Sequence, residues 1–481
     1  VPNVIQAATS IFAGHDVRSI AQADAPNLKE AAARLVELIV QARHEGRRFL
    51  TFLTGVPGSG KTLAGLQVVH DAIATGAGGR GDIVYLSGNT PLVTVLREAL
   101  ARDERSRRTG QGRGIPLQQI RREVRTRIQH INDFLKERLR AGTTQPPHEH
   151  AIVFDEAQRA WDEQQGQKKF SRTASEPALL LELMGRHPDW CACICLVGGG
   201  QEINSGERGL TGWGEALRSL GPVVSSRWSV FAPPDVFSGG PSTAGDSLGM
   251  LPRQVAVHHE PHLQLEVPLR SFRSPAVSEW VAHVLSGNAA SARQLAASMV
   301  KYPIVLTRSL STARHWLKDV ARGERRVGLV ASSGARRLRA EGLGEILNAT
   351  DGIDIAHWYL NPPGDIRASY ALEVPANEYT CQGLELDFVA LCWGGNLVRD
   401  AKNTDWLYRR LNGDRWQGVA DGSRRRFVEN AYRVLLTRAR EGFAIWVPQG
   451  DPSDRTREPE LFDATADYLT KCGAVALSER S

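Results

Sequence analysis

No apolar run in this chain of 481 residues approaches the length of a membrane span, about 20 residues. Residues Val1 to Ile20 lack a basic stretch followed by an apolar core, so no secretory signal is expected. Cysteine is scarce: six over this length make no disulfide framework, and a reducing, cytoplasmic setting is expected. No initiator methionine precedes Val1, which leaves a processed start or a fragment of something longer. No internal repeat is visible. What remains is an ordinary globular composition, 42% hydrophobic, long enough for two or three domains with real cores.

The net charge of +6 is modest but uneven. Between Ala101 and Arg140, twelve Lys/Arg stand against five Asp/Glu, a local excess of seven. Such a cluster is either the footprint of a polyanion or the solvated face of a helix. Taken alone it favours neither.

The most informative segment reads Thr54-Gly55-Val56-Pro57-Gly58-Ser59-Gly60-Lys61-Thr62, directly after the strand-like run 49–53. This is the G-x-x-x-x-G-K-[ST] phosphate cradle in its proper setting. Gly55, Gly58 and Gly60, with Pro57 and Ser59 between them, let backbone N–H groups close around phosphate oxygens. The helix that starts at Lys61 adds its positive end. Lys61 can reach the β- and γ-phosphates, and the Thr62 hydroxyl can ligate magnesium. A chance Gly-rich turn would lack the strand before it and the apolar helix after it. The chain is expected to bind a nucleoside triphosphate.

Strand-like runs alternate with helical patterns, which points to α/β layers with mostly parallel sheets. The first set of strands is expected at 49–53, 83–86, 151–154 and 191–197. A second set is expected at 263–267, 304–307, 327–330, 388–393 and 443–447. Between the sets, residues 231–251 are crowded with Pro, Gly and Ser and read as a linker or loop.

At the end of the apolar run 151–154 stand Asp155 and Glu156, followed by Ala157 and Gln158. Strand C-termini are where open α/β sheets bind ligands. Asp155 would hold magnesium, and Glu156 would act as general base on the attacking water. The run Leu196-Val197-Gly198-Gly199-Gly200-Gln201 repeats the pattern, and Gln201 can orient that water or sense the γ-phosphate. Cys191, Cys193 and Cys195 alternate along one strand and so share a face, which reads as core packing. The histidines of 148–150 and 258–262 read as loop residues without a complete ligand set.

These motifs, with Leu269-Arg270-Ser271-Phe272-Arg273-Ser274, Gln382-Gly383-Leu384-Glu385 and Val434-Leu435-Leu436-Thr437-Arg438-Ala439-Arg440, follow one another in the order seen in superfamily-1 helicases. The nearest resemblance is to the bacterial schlafen-group-3-like DNA/RNA helicase domain, also visible in 85–93, 155–161 and 430–440. It covers roughly residues 50 to 448. The resemblance implies two RecA-like P-loop NTPase domains, parallel-sheeted, with ATP and Mg2+ between them. The implied boundaries are a lead-in over 1–48 and a first domain over 49–225 with a small basic insertion at 102–148. A linker over 226–262, a second domain over 263–450 and a tail over 451–481 complete them. It further implies that Phe272 stacks on adenine, that Arg273 and Arg438 reach the γ-phosphate, that Glu385 binds the ribose and that Gly383 belongs to the nucleotide site. Ser87, Gly88 and Asn89 match the motif that touches the nucleic-acid strand, whereas Asn377 stands where related helicases often carry a strand-contacting Thr.

Beside such an engine the basic segment is expected to line a track for single-stranded DNA or RNA, with Arg121, Arg122 and Arg125 in contact. Trp161, Trp213 and Trp393 follow motif residues and would serve either as stacking platforms or in the core. Two functions stay open: a nucleic-acid-dependent translocase or helicase, in a setting such as antiviral defence, or an ATP-switched interaction protein with little unwinding. A protein partner such as a nuclease or defence-system component fits either, and no membrane is expected.

Overall fold

The computed structural model describes residues 4–13, 26–55, 58–76, 82–139, 144–198, 207–265, 274–323, 325–348, 353–402 and 404–477. The chain forms two compact units, Val1–Arg270 and Ser271–Ser481.

The first unit is built on an eight-stranded sheet. Its strands are β1 (Arg48–Gly55), β2 (Ile83–Ser87), β3 (Ile128–His130), β4 (Ala151–Asp155), β5 (Cys191–Val197), β6 (Trp228–Ala232), β7 (Ala256–His259) and β8 (Gln264–Leu265). The order is β3-β2-β4-β5-β1-β6-β7, with β8 pairing the end of β1, and every pair is parallel. β1, β2, β4 and β5 are buried along their whole length, as a parallel sheet covered on both faces requires. Leu50, Phe52, Ile152, Phe154, Cys191, Cys193 and Cys195 share a core with Trp213, so the cysteines are packing residues. Burial pushes the Cys193 and Cys195 thiols up, which keeps them inert. The helix Lys61–Ala74 seats close to the sheet at Gly65, where a Cβ would lie 2.6 Å from Leu196 Cδ1.

Several expected boundaries are corrected here. The stretch 226–262 is no linker: β6 extends the sheet from β1, β7 pairs β6, and Val236 and Leu248 are buried in the core. The strand expected at 263–267 as the start of the second set is β8, hydrogen-bonded to β1. The lead-in 1–48 contains the helices Val4–Phe12 and Pro26–Glu45, whose apolar faces (Ile5, Ile11, Leu28, Leu35, Leu38, Ile39) are buried. The basic insertion is not a separate body, because its β3 pairs β2 at the sheet edge.

The second unit has a five-stranded parallel sheet, β10-β11-β15-β9-β16, made of β9 (Ile304–Thr307), β10 (Val327–Ala331), β11 (Leu386–Cys392), β15 (Ala439–Trp446) and β16 (Val475–Ala476). A separate antiparallel sheet joins β12 (Leu397–Arg399), β13 (Trp406–Asn412) and β14 (Arg415–Gly418). The segment 451–481 is no tail. The helix Pro459–Lys471 buries Leu461, Phe462, Thr465, Tyr468 and Leu469, the Cys472 carbonyl accepts from Trp280 Nε1 at 3.0 Å, and β16 completes the sheet.

Candidate nucleotide-binding site

The phosphate loop leaves the C-terminal end of β1. Gly55 is required there, since a Cβ would fall 2.4 Å from Ser59 Oγ and 2.8 Å from the Leu265 carbonyl. Gly58 and Gly60 take φ of 81° and 92°, a region closed to most side chains. Gly60 is also the N-cap of the helix Lys61–Ala74 and supplies no side-chain cap, so the helix presents its N–H groups to the loop. Ser59 Oγ is buried with no hydrogen-bond partner among the described residues. Lys61 Nζ donates to the Gly55 carbonyl at 2.6 Å. Positive helix end, cation and orphaned hydroxyl all fit a polyphosphate.

Two strands away, Thr62 Oγ1 and Tyr85 OH both donate to Asp155 Oδ2, at 3.0 and 2.6 Å. The Asp155 carboxyl is pushed up to about 6, by burial first and then by Glu156, against the hydrogen bonds of Tyr85 and Thr62 and the charge of Lys61. A buried carboxylate beside a hydroxyl at the mouth of a phosphate loop is a donor set suited to a hard divalent cation such as magnesium.

Glu156 takes φ 55° and ψ 43°, a left-handed conformation rare outside glycine, and so turns away from the line of β4. Its carboxylate accepts from Gln158 Nε2. Gln158 Oε1 accepts in turn from the Gly198 N–H at 3.1 Å. The two bonds fix the amide orientation and tie the end of β4 to the loop that leaves β5. Trp213 Nε1 donates to the Ala157 carbonyl at 2.9 Å and braces the same turn from the core.

On the adjacent strand end, Ser87 is buried and its Oγ accepts from the Asn89 N–H at 3.2 Å. Asn89 Oδ1 caps the helix Thr90–Gly110 through the Leu92 N–H. The Gly88 carbonyl accepts from His130 Nε2, whose Nδ1 takes the Asn132 N–H, so His130 is the neutral Nε2–H tautomer. In the basic segment, Arg121 grips the buried Glu98 with two bonds of 2.8 Å. Arg102, Arg107 and Arg108 are likewise ion-paired. Arg122 and Arg125 are exposed.

In the second unit, Gly383 (φ 72°) and Glu385 precede β11, and Arg438 precedes β15 beside it. Arg438 donates from Nε to Val434 O at 2.9 Å and from its terminal nitrogens to Cys381 O and Thr437 Oγ1, so the two motifs meet. Asn377 is held in its own turn: its Oδ1 accepts from the Tyr379 and Thr380 N–H groups, and its Nδ2 donates to Leu347 O. That makes it a turn-former. Pro57, Gln201, Phe272 and Arg273 lie outside the described residues.

The sequence from residue 48 to 449 matches the Schlafen group 3, DNA/RNA helicase domain. The chain belongs to that family. No curated protein matches it. Solved structures similar to it include the DUF1998 helicase MrfA bound to DNA, at 13% identity and a TM-score of 0.31, covering 94% of this chain and 54% of that one. The chain thus spans about half of MrfA. The DEAD-box helicase Mss116 bound to ssRNA and UDP-BeF is similar at 9% identity and a TM-score of 0.35, covering 86% and 69%. The yeast DEAD-box splicing factor Prp28 is similar at 10% identity and a TM-score of 0.26, covering 98% and 86%.

Within this Schlafen-family helicase domain, sequence reasoning missed Tyr85, Gln158 and Gly198. Gln158 carried a signal, an amide two residues after the acidic pair; Tyr85 carried none that distinguishes it from an ordinary strand aromatic. Trp213 and Trp393 are fully buried and donate to carbonyls, so they are core residues. Trp161 lies under Lys169 Nζ, 3.7 Å from its ring centroid. No helix among the described residues is long and apolar enough to cross a membrane.

At the opposite, N-terminal ends of β4 and β5, the His150 and His187 ring centroids lie 4.0 Å apart with the planes tilted by 35°, and Asp189 is beside them. Burial and the neighbouring His150 press the His187 imidazole down to about 4. An unfolded histidine titrates near 6.5, so as pH falls from there toward 4 the unfolded chain takes up the proton first. The stability of this unit should therefore fall on acidification, by about 2 kcal/mol at pH 5 from this group. Urea midpoints at pH 7 and pH 5 test this, and His187→Gln should flatten the difference.

Proposed function

We propose that this chain is a nucleic-acid-dependent ATPase of superfamily-1 helicase type, an ATP-driven translocase or helicase on single-stranded DNA or RNA. One observation carries the reading. The loop at Gly55–Thr62, the carboxylate of Asp155 and the linked set Glu156–Gln158–Gly198 converge at the C-terminal edge of three neighbouring strands. The family match supports the nucleic-acid side of it.

In this reading Lys61 exchanges the Gly55 carbonyl for phosphate oxygens, and the N–H groups at Gly58–Lys61 with Ser59 Oγ complete the cradle. Thr62 and Asp155 would hold magnesium, which when bound offsets negative charge on the phosphate oxygens. Glu156 accepts the proton of the attacking water, and Gln158 keeps that carboxylate aimed. Gln201 would orient the water. Arg273 and Arg438 would stabilise charge on the transferring phosphoryl group, while Phe272, Gly383 and Glu385 would hold the nucleoside. Ser87, Gly88 and Asn89, adjoining Asp155 through the β2–β4 pairing, would couple the strand-binding edge to the catalytic edge. A cytoplasmic role in antiviral defence, with a nuclease as partner, is consistent with this reading and rests on resemblance alone.

The test is steady-state ATP hydrolysis with and without single-stranded DNA and RNA. Strong stimulation by one polymer, abolished by Lys61→Ala, is the expected result. Hydrolysis indifferent to both polymers would sink the motor and favour a nucleotide-switched interaction protein.

A further inference from the structure

The second unit carries a feature that the nucleotide chemistry does not use. Between β11 and the helix Gly422–Leu436, the antiparallel sheet β12-β13-β14 stands outside the parallel sheet. Its hairpin and the following turn, residues 406–426, hold six arginines against two aspartates. Successive strand residues point to opposite faces, and directly paired residues share one. One face is spent inward. Arg409 is buried on the Gly395 carbonyl and Glu458, with its guanidinium over Trp416, whose Nε1 donates to Thr456 O. The other face carries Arg410, Asn412, Arg415 and Gln417, all exposed.

The helix that follows continues that face. Arg425 donates to Val419 O at 2.6 Å and reaches over the Tyr408 ring, two residues from Arg410 along β13. Arg424 and Arg426 flank it, exposed, and Phe427 beside them is 40% exposed. Arg410, Arg424 and Arg426 make no ion pair within reach among the described residues, unlike Arg121. Arg424 and Arg425 in the first turn of the helix, with Arg426 just beyond it, also oppose its dipole, at about 0.3–1 kcal/mol each near the surface. The capping Asp421, which accepts the Ser423 and Arg424 N–H groups, is the acid offsetting them. Exposed cations without a salt bridge, two of them near an unfavourable helix end and all beside aromatic rings, match what a nucleic-acid backbone with unstacked bases requires.

We infer that the exposed face of the β13–β14 hairpin, with Arg410, Arg415, Arg424 and Arg426, is a contact surface for the phosphates of a single nucleic-acid strand, and that Tyr408 and Phe427 offer ring faces to its bases. The inference rests on the motor reading and adds a second-unit site to it.

The experiment compares the full chain with Arg410→Gln/Arg424→Gln/Arg426→Gln in binding fluorescent single-stranded DNA and RNA across a salt series. Losing three phosphate contacts should lower affinity at low salt by at least about tenfold and reduce the slope of log affinity against log salt by about 2. A matching Arg→Lys triple variant should keep most of that slope, and thermal unfolding should match the parent in both. If the parent binds a strand and the Gln variant binds it with the same affinity and slope, this surface is not the contact and the motor reading stands. If the parent binds neither polymer, both readings fall. If instead the parent loses affinity only for vesicles of anionic phospholipid when these arginines are changed, the occupant is a lipid surface and the inference is overturned.

Discussion

Glu156→Gln will leave ATP binding largely intact and lower strand-stimulated hydrolysis by about 10²–10⁴-fold, the usual contribution of a positioned general base. The substitution changes one atom of the side chain and keeps its volume. The left-handed backbone that aims the residue, of the kind that costs about 1–3 kcal/mol, is held by elements the change does not touch. The Arg159 N–H still closes the turn on the Glu156 carbonyl at 2.9 Å, and Trp213 still braces Ala157. Gln158 donates its Nε2 to position 156, and a glutamine there can accept through its own amide oxygen, so the link to Gly198 survives. What disappears is the proton acceptor. Equal ATP affinity with a fall in kcat identifies the base. A fall in affinity with kcat unchanged would place the catalytic proton elsewhere and reduce Glu156 to a brace.

The parts of this site that were legible in the sequence are those where ligand chemistry dictates consecutive residue types. The loop at 55–62 and the acidic pair at 155–156 are of that kind, and the buried runs of β1, β4 and β5 read as strands because both their faces are covered. Contacts across long separations were not legible. Tyr85 meets Asp155 only because β2 lies beside β4, and nothing local to either residue says so. The same blindness affected charge: counting Arg121 into a basic cluster ignored Glu98, which neutralises it from a neighbouring helix. The stretch 226–262 misled for a different reason. β6 has five residues before a Pro-Pro break, and the turns that follow are tied down by Asp235 and Asp246, which accept from Ser242, Leu210 and Thr211. Polar turn residues that serve a packed core look, in sequence, like those of a free loop. The end of the chain did carry its signal. Leu461, Phe462, Thr465, Tyr468 and Leu469 recur at helical spacing, and that period marks a buried face.

Arg438→Ala will lower kcat by about 10³-fold or more if its guanidinium stabilises the transferring phosphoryl group, as an arginine finger does. The structure supplies a competing role that the experiment must separate. Arg438 already binds Val434 O, Cys381 O and Thr437 Oγ1, which joins the turn before β15 to the Gly383–Glu385 segment. Removing it breaks these bonds, but Val434 O keeps the Thr437 N–H and Oγ1 and Cys381 O keeps the Leu384 N–H, so each lost bond costs about 0.5–1.5 kcal/mol of stability. That loss lowers the unfolding midpoint but cannot by itself produce a thousandfold drop in turnover measured well below it. Arg438→Lys sharpens the distinction. Lysine keeps the charge but not the planar fork, so it should restore part of the stability and little of the rate. A variant that unfolds earlier yet hydrolyses within about tenfold of the parent (about 1.4 kcal/mol in the barrier) would show that Arg438 only braces its own unit. A variant of near-parental stability with kcat collapsed and the KM for ATP little changed would place its guanidinium at the reacting phosphate, because only an interaction made in the transition state alters kcat alone.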